Sequence, residues 1–222
     1  MKKTSWNLSP KAAVAWQRLN ADRVETRPRL EKVKVIAGID VAFTRDKKRA
    51  ICGIILFAYP GLAEMERVYA TAPLTFPYVP GLLTFREGPV IEKAFRKLRQ
   101  RPQLIFFDGQ GRAHPRRMGL ASHMGLVLDR PAIGCAKSRL CGEAAEPLPK
   151  RGSWTPLQEG GETVGAVLRT RDGVKPIYVS VGHRVDLKTA LRWTLACHDG
   201  TRIPKPTREA DRFVSQLKKQ LN

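Results

Sequence analysis

The sequence predicts an α/β fold with a mixed central sheet, an antiparallel three-stranded meander followed by parallel strands, flanked by helices. Three observations carry this expectation. Strand-like runs at residues 33–43, 50–59 and 65–72 are separated only by Asp46-Lys47-Lys48 and by Pro60-Gly61, and connections that short join antiparallel neighbours. The apolar runs at 104–107 and 131–136 are separated by a stretch with helical spacing, and crossovers of helix length between the later strands imply parallel pairing there. Helical patterns with one apolar face recur between and after the strands. At 222 residues the chain suits one well-buried core, so a single domain over 1–222 is expected.

The elements follow in order. Residues 9–24 carry Ala12, Val14, Ala15, Trp16 and Leu19 among charges, an amphipathic helix with Ser9 as N-cap and Pro10 in its first turn. It is expected to pack on the outside of the sheet. The first strand of the meander holds one acid, Asp40, in an otherwise apolar segment. A proline-rich loop spans 73–85, where Pro77 and Pro80 restrict the backbone and hold Tyr78 on a stiff projection. Val90, Ile91, Ala94, Phe95 and Leu98 then share a helical face, and Glu87 opens that helix, where its carboxylate is electrostatically favoured. The run Leu104-Ile105-Phe106-Phe107 reads as a short buried strand, and Asp108 follows it beside Gly109 and Gly111. Open α/β sheets bind ligands beyond the carboxyl ends of their strands, although Asp-Gly is equally a turn signal. A helix around 118–128 leads to a fifth strand at 131–136, with Lys137-Ser138-Arg139 at its end. Residues 141–161 turn to Gly, Pro, Glu and Lys and read as a loop or a β insertion. Segments 164–170 and 176–181 alternate as a strand pair, and 186–197 has helical spacing. A last helix over 207–221 gathers Ala210, Phe213, Val214, Leu217 and Leu221 on one face and leaves Asp211 off that stripe.

Composition narrows the function. Forty Lys and Arg against twenty Asp and Glu give a net charge of +20, for which a polyanion is the leading partner because neutralised phosphates release counterions. No apolar window reaches the ~18 residues of a spanning helix and no signal-peptide core opens the chain, so a cytoplasmic protein without a membrane partner is expected. Cys52, Cys135, Cys141 and Cys197 have neither zinc-site nor disulfide-framework spacing and are read as buried, reduced thiols. Of the histidines, His114 beside the glycine loop is favoured for a pocket or phosphate role. His123 reads as a satisfied core residue, His198 as a surface residue, and His183 stays open between site and structure.

Three carboxylates, Asp40, Glu87 and Asp108, stand where the strands and the helix could bring them together. Clustered acids repel unless a cation offsets them, and hard oxygen ligands suit Mg²⁺ or Mn²⁺. On a strongly basic protein such a cluster points to phosphodiester chemistry.

The sequence resembles the endonuclease V family, deoxyinosine 3′-endonucleases with a ribonuclease H-like fold. The likeness is carried by Ile36-Ala37-Gly38-Ile39-Asp40-Val41-Ala42-Phe43 and by Phe76-Pro77-Tyr78-Val79-Pro80-Gly81 with its continuation Leu82-Leu83-Thr84-Phe85-Arg86-Glu87-Gly88-Pro89. Phe107-Asp108-Gly109-Gln110-Gly111-Arg112-Ala113-His114-Pro115-Arg116, Gly119-Leu120-Ala121-Ser122-His123 and Ile133-Gly134-Cys135-Ala136-Lys137-Ser138-Arg139-Leu140 extend it. The resemblance implies that Asp40, Glu87 and Asp108 hold a catalytic Mg²⁺, for which Mn²⁺ can substitute. It also implies that Asp211, where the family has His or Asp, stands near the metal, and that Lys137 is the active-site lysine. Tyr78, framed by Pro77 and Pro80, corresponds to the family's base wedge. Gly81, Leu83, Gly109, Gly111, His114, Gly119, Leu120, Ala136 and Leu140 correspond to a pocket for hypoxanthine.

The implied activity is a deoxyribonuclease V: hydrolysis of the second phosphodiester 3′ to deoxyinosine in DNA, leaving 3′-hydroxyl and 5′-phosphate ends and starting repair. Its expected partner is DNA containing deoxyinosine or other base lesions, met by a monomer. Two alternatives stay open, an inosine-specific endoribonuclease acting on RNA and a non-cleaving binder of damaged nucleic acid.

Overall fold

The structure is a computed structural model that describes residues 6–30 and 32–221. The meander expected at the start of the chain is present. Strands β1 (Val35–Phe43), β2 (Arg49–Ala58) and β3 (Ala63–Pro73) pair antiparallel. Strands β4 (Leu104–Phe107) and β5 (Ala132–Ala136) add to β1 in parallel. The sheet is completed by β6 (Trp154–Glu159), β7 (Glu162–Leu168) and β8 (Ile177–His183), in the spatial order β3-β2-β1-β4-β5-β8-β7-β6.

Parallel pairing stops at β5. Strand β8 pairs antiparallel with β5, a direction the sequence left open. The cause lies in the 141–161 segment, which supplies β6 as one arm of a tight hairpin turning at Gly160-Gly161. A second antiparallel return from β7 to β8 then brings the chain back with reversed direction, so no helical crossover is needed.

Helices cover both faces. On one, α2 (Leu83–Arg96) and α3 (Leu120–Leu128) bury Val90, Ile91, Phe95, Met124 and Val127 against Ala37, Ile39, Ile105 and Phe107. On the other, α4 (Leu187–Ala196) and α5 (Lys205–Leu221) bury Ala190, Leu191, Phe213 and Leu217 against Ile36, Ile51, Phe106 and Ile133. Successive strand residues alternate faces. Asp40 therefore points with Ile36, Asp108 with Phe106 and Lys137 with Ile133, all toward the α5 layer. The helix comes very close to the sheet. A Cβ on Gly38 would stand 1.9 Å from the Pro206 carbonyl oxygen, so only glycine admits the start of α5 there.

Helix α1 (Pro10–Asn20) is capped by Ser9 as expected, its side chain accepting from the Ala12 amide. It does not lie on the sheet. Ala13 packs with Phe76, Leu82 and Phe85, while Leu19 is 80% exposed, because the apolar stripe is too thin to cover a sheet face. Its working residue is polar: Gln17 Nε2 donates to the carbonyls of Gly81 and Met118, each at 3.0 Å. His123 is fully buried, stacked on Trp16 at 4.1 Å between centroids. It is a core residue, but neither ring nitrogen has a hydrogen-bond partner among the described residues. Buried His183 accepts the Glu25 amide at 3.2 Å. Cys52, Cys135 and Cys197 are buried free thiols, and Cys141 is only partly buried.

Candidate active site

The alternation of β1 and β4 directs Asp40 and Asp108 to one side of adjacent parallel strands. Helix α5, lying across that side, adds Asp211. Carboxylate oxygens of these three residues all lie within 4.8 Å of one another. Lys137, just beyond β5, puts Nζ 2.6 Å from Asp108 Oδ2 and 2.7 Å from Asp211 Oδ2. Asp211, off the apolar stripe of its helix, is off it because it faces this cluster.

Electrostatics match that crowding. Burial, with the charges of Asp108 and Asp211 added, pushes the Asp40 carboxyl up to about 7. Burial also raises Asp108, opposed by its hydrogen bond from Lys137. At Lys137, burial works against the charge, but the bonds to both carboxylates outweigh it and hold the ammonium above its ordinary range. The ammonium therefore stays protonated.

Glu87 enters from the opposite layer. Helix α2 starts at Leu83, earlier than the sequence suggests, because Leu82 and Phe85 anchor its first turn in an apolar cluster with Phe76. Glu87 thus lies in the second turn rather than at the helix start, so the N-terminal cap role is gone. It is 6% exposed and its carboxyl is raised well above normal by burial, then by Asp40 and Asp108. It senses the acid cluster without joining the three closest ligand atoms.

Beside the acids opens a cleft of about 420 Å³ that runs from Tyr78 to Asp108 and Lys137. Pro80, Gly81, Leu83, Gly109, His114, Gly119, Leu120, Ala136 and Leu140 all line it. Tyr78 is 73% exposed at its mouth. Gly111, expected in this wall, is absent from the lining. It packs behind it, its amide donating to Ser180 Oγ at 2.8 Å and its α-carbon pressed on the β8 backbone.

Gly81 shapes the cleft. Its φ of 77° is in the left-handed region, and its carbonyl accepts from Gln17 Nε2, His114 Nε2 and Arg116 Nη2 at 2.9–3.0 Å. His114 is buried, and that burial drives its pKa down to about 4. With Nε2 donating to Gly81 and Nδ1 accepting the Arg116 amide at 3.1 Å, the neutral ring is a brace of the pocket wall. It offers no cation to a phosphate.

The cleft also includes Gln110, Met118, Ser138 and Arg139, which sequence reasoning missed. Ser138 and Arg139 directly follow Lys137 at a strand end, and that position was the available signal. Gln110 had none, since its place depends on Nε2 reaching the Ser138 carbonyl at 2.9 Å across the two loops.

Comparison with known proteins gives the same assignment. Residues 18–212 match the endonuclease V family. Endonuclease V of Roseiflexus sp. (strain RS-1) is 45% identical over 210 residues, covering 95% of this chain and 94% of that protein. The Methanothrix thermoacetophila enzyme is 48% identical over 206 residues, covering 93% and 91%. Among solved structures, endonuclease V from Streptomyces avermitilis superposes with a TM-score of 0.93 at 39% identity over 98% of this chain and 96% of that one. Ciona intestinalis endonuclease V, in complex with a 24mer DNA containing an inosine followed by a ribo-adenosine, gives a TM-score of 0.81 at 26% identity over 94% and 97%. Its sheet, its acids and these relatives together make this chain a member of the endonuclease V family, with that family's ribonuclease H-like fold.

Proposed function

We propose that this protein is a Mg²⁺-dependent nuclease that recognises deoxyinosine in DNA and hydrolyses the second phosphodiester 3′ to it, initiating repair. The observation that carries the reading is the meeting of Asp40, Asp108, Asp211 and Lys137 at one end of a cleft whose other end is the Tyr78 loop. Lesion reading and strand cutting then share one groove. All these groups come from one copy of the chain, which supports a monomer, and we take it to work in the cytoplasm.

The residues present fit a hard divalent cation. Three carboxylates within 4.8 Å, with Asp40 resisting ionisation because it is buried beside Asp108 and Asp211, form an all-oxygen donor set of the kind Mg²⁺ or Mn²⁺ accepts. Asp40 and Asp108 would hold the ion with Asp211 beside them, and Glu87 would support it from the α2 side. When bound, the ion would supply Lewis-acid activation of water and of the phosphoryl group.

The chain's own side chains do the remainder. Lys137, permanently charged, orients Asp108 and Asp211 and can hold a non-bridging phosphate oxygen as negative charge builds. Tyr78 stacks in the gap left by the extruded nucleotide, a step least demanding where pairing is already weak. Backbone groups around Gly81, Gly109 and Gly119 meet the lactam edge of hypoxanthine, and adenine's amino group presents the wrong donor there. His114 keeps Gly81 in position for that contact.

Replacing Asp40 or Asp108 by Asn is expected to lower nicking of an inosine duplex at least about 100-fold while binding persists in metal-free buffer. Wild-type nicking by either variant would sink the mechanism, and wild-type binding to inosine duplexes with no metal-dependent nicking would favour a non-cleaving binder. A second reading has one observation behind it: the DNA held by the Ciona protein carries a ribonucleotide after its inosine, so inosine in RNA is a candidate substrate. Competition between inosine-DNA and inosine-RNA, each with a metal-free control, ranks the two.

A further inference from the structure

We infer that the tip of the β1–β2 hairpin is a phosphate clamp for the nucleic-acid strand 3′ to the cut. This rests on the proposed reading of the cleft and extends it to a surface outside the catalytic groups.

The clamp's position follows from topology. The last ladder pair of the hairpin is Phe43 with Ala50, and the tip beyond it reads Thr44-Arg45-Asp46-Lys47-Lys48-Arg49. Asp40 lies three residues before that pair, so the tip projects about 10 Å past the acid at ~3.3 Å per residue. Because β4 and β5 run parallel to β1, Asp108 and Lys137 leave the sheet at the same edge. Sheet order then lines up the tip, the acids and the base cleft along that edge in sequence. A strand with its base in the cleft and its scissile phosphate on the acids must continue over the tip. The cut being 3′ to the base, that continuing part is the 3′ side.

The tip is built to present charge. Asp46, its single acid, is turned to local work, accepting Thr44 Oγ1 at 2.6 Å and the Lys48 amide at 3.0 Å. The Lys47 amide closes the turn on the Thr44 carbonyl at 3.0 Å. Lys47 and Lys48 are exposed, and among the described residues neither side chain makes an ion pair. The Lys48 carbonyl also receives the Leu74 amide at 2.8 Å, tying the tip to the root of the loop that carries Tyr78. Turn and wedge loop therefore form one frame on which two ammonium groups are held outward, the arrangement a phosphate backbone meets.

The test uses the full chain, the double variant Lys47→Ala/Lys48→Ala and its rescue Lys47→Arg/Lys48→Arg. Affinity is read by fluorescence anisotropy without metal, on inosine duplexes shortened from either side of the lesion. The Ala pair should bind the full duplex roughly fivefold more weakly, with the slope of log K against log salt shallower by about 1.8, two phosphates at ~0.9 each. The Arg pair should restore both. The defect should vanish on duplexes cut short 3′ of the lesion and persist on those cut short 5′. No defect, or one indifferent to which side is shortened, would overturn the clamp. Failure of the inosine reading shows separately, as equal wild-type binding to inosine and adenosine duplexes. Melting temperatures confirm folding, since both side chains are solvent-facing.

Discussion

Asp40 has opposite preferences in the folded and unfolded chain. Unfolded, it ionises near 3.8; folded, burial and neighbouring carboxylates carry it to about 7. Between those values the native state holds an extra proton, so this group's contribution to stability falls as pH rises from about 4 through about 7. Asn cannot ionise. Asp40→Asn should therefore melt several degrees above wild type at pH 8 without metal, and the gap should close toward pH 4. A gap independent of pH would disprove this account of the site. With Mg²⁺ present the cation competes with that proton, so nicking by the wild type should rise with pH below this window. Asp108 and Lys137 could be placed from sequence because each is the first polar residue after an apolar run that must be a strand. Gln110 and Gly111 stand in the same loop, yet their side-chain and backbone partners, Ser138 and Ser180, are distant in sequence, and nothing local separates a lining residue from one behind it.

At the scale of elements, the site depends on how closely α5 approaches β1. An alanine at Gly38 would drive its Cβ into the Pro206 carbonyl, and the helix would have to lift. Since α5 carries Asp211, Gly38→Ala should lose about 1–3 kcal/mol of stability and also nicking activity. Gly61→Ala, where an added Cβ meets nothing within 4 Å, is the control. Equal melting temperatures for the two would show that the contact yields. Most strands were legible, as strand-like runs parted by short turns in the meander and as unbroken apolar runs at the centre. The start of α2 was not, because its apolar face was legible only from Val90 onward, whereas Leu82 and Phe85 start the helix earlier by packing with Phe76. The direction of β8 was hidden as well, since it depends on a hairpin assembled from a segment of Gly, Pro and charge.

For the molecule as a whole, a net charge of +20 surrounds a small acidic centre. Long-range attraction draws a polyanion in, while the local repulsion at Asp40, Asp108 and Asp211 is relieved by Lys137 and, in the proposed reaction, by a cation. Binding to any duplex should thus weaken about 100-fold or more between 50 and 200 mM salt, measured by anisotropy on undamaged DNA. A flat response would mean that the basic surface does not anchor nucleic acid. Among the described residues no helix is long and apolar enough to cross a membrane.

What the sequence by itself determined is local: strand periodicity, a carboxylate at Asp40 and at the end of β4, a lysine after β5, a rigid loop around Tyr78, and a charge balance that calls for a polyanion. Tertiary structure decided which groups meet. It brought Asp211 into the acid cluster, sent Glu87 in from the other layer, turned His114 into a brace on Gly81, and set Lys47 and Lys48 beyond the acids. The reason is physical. Alternation along a strand depends on neighbouring residues, whereas the face on which a helix lands depends on shape complementarity between segments more than a hundred residues apart, as with Gly38 and Pro206.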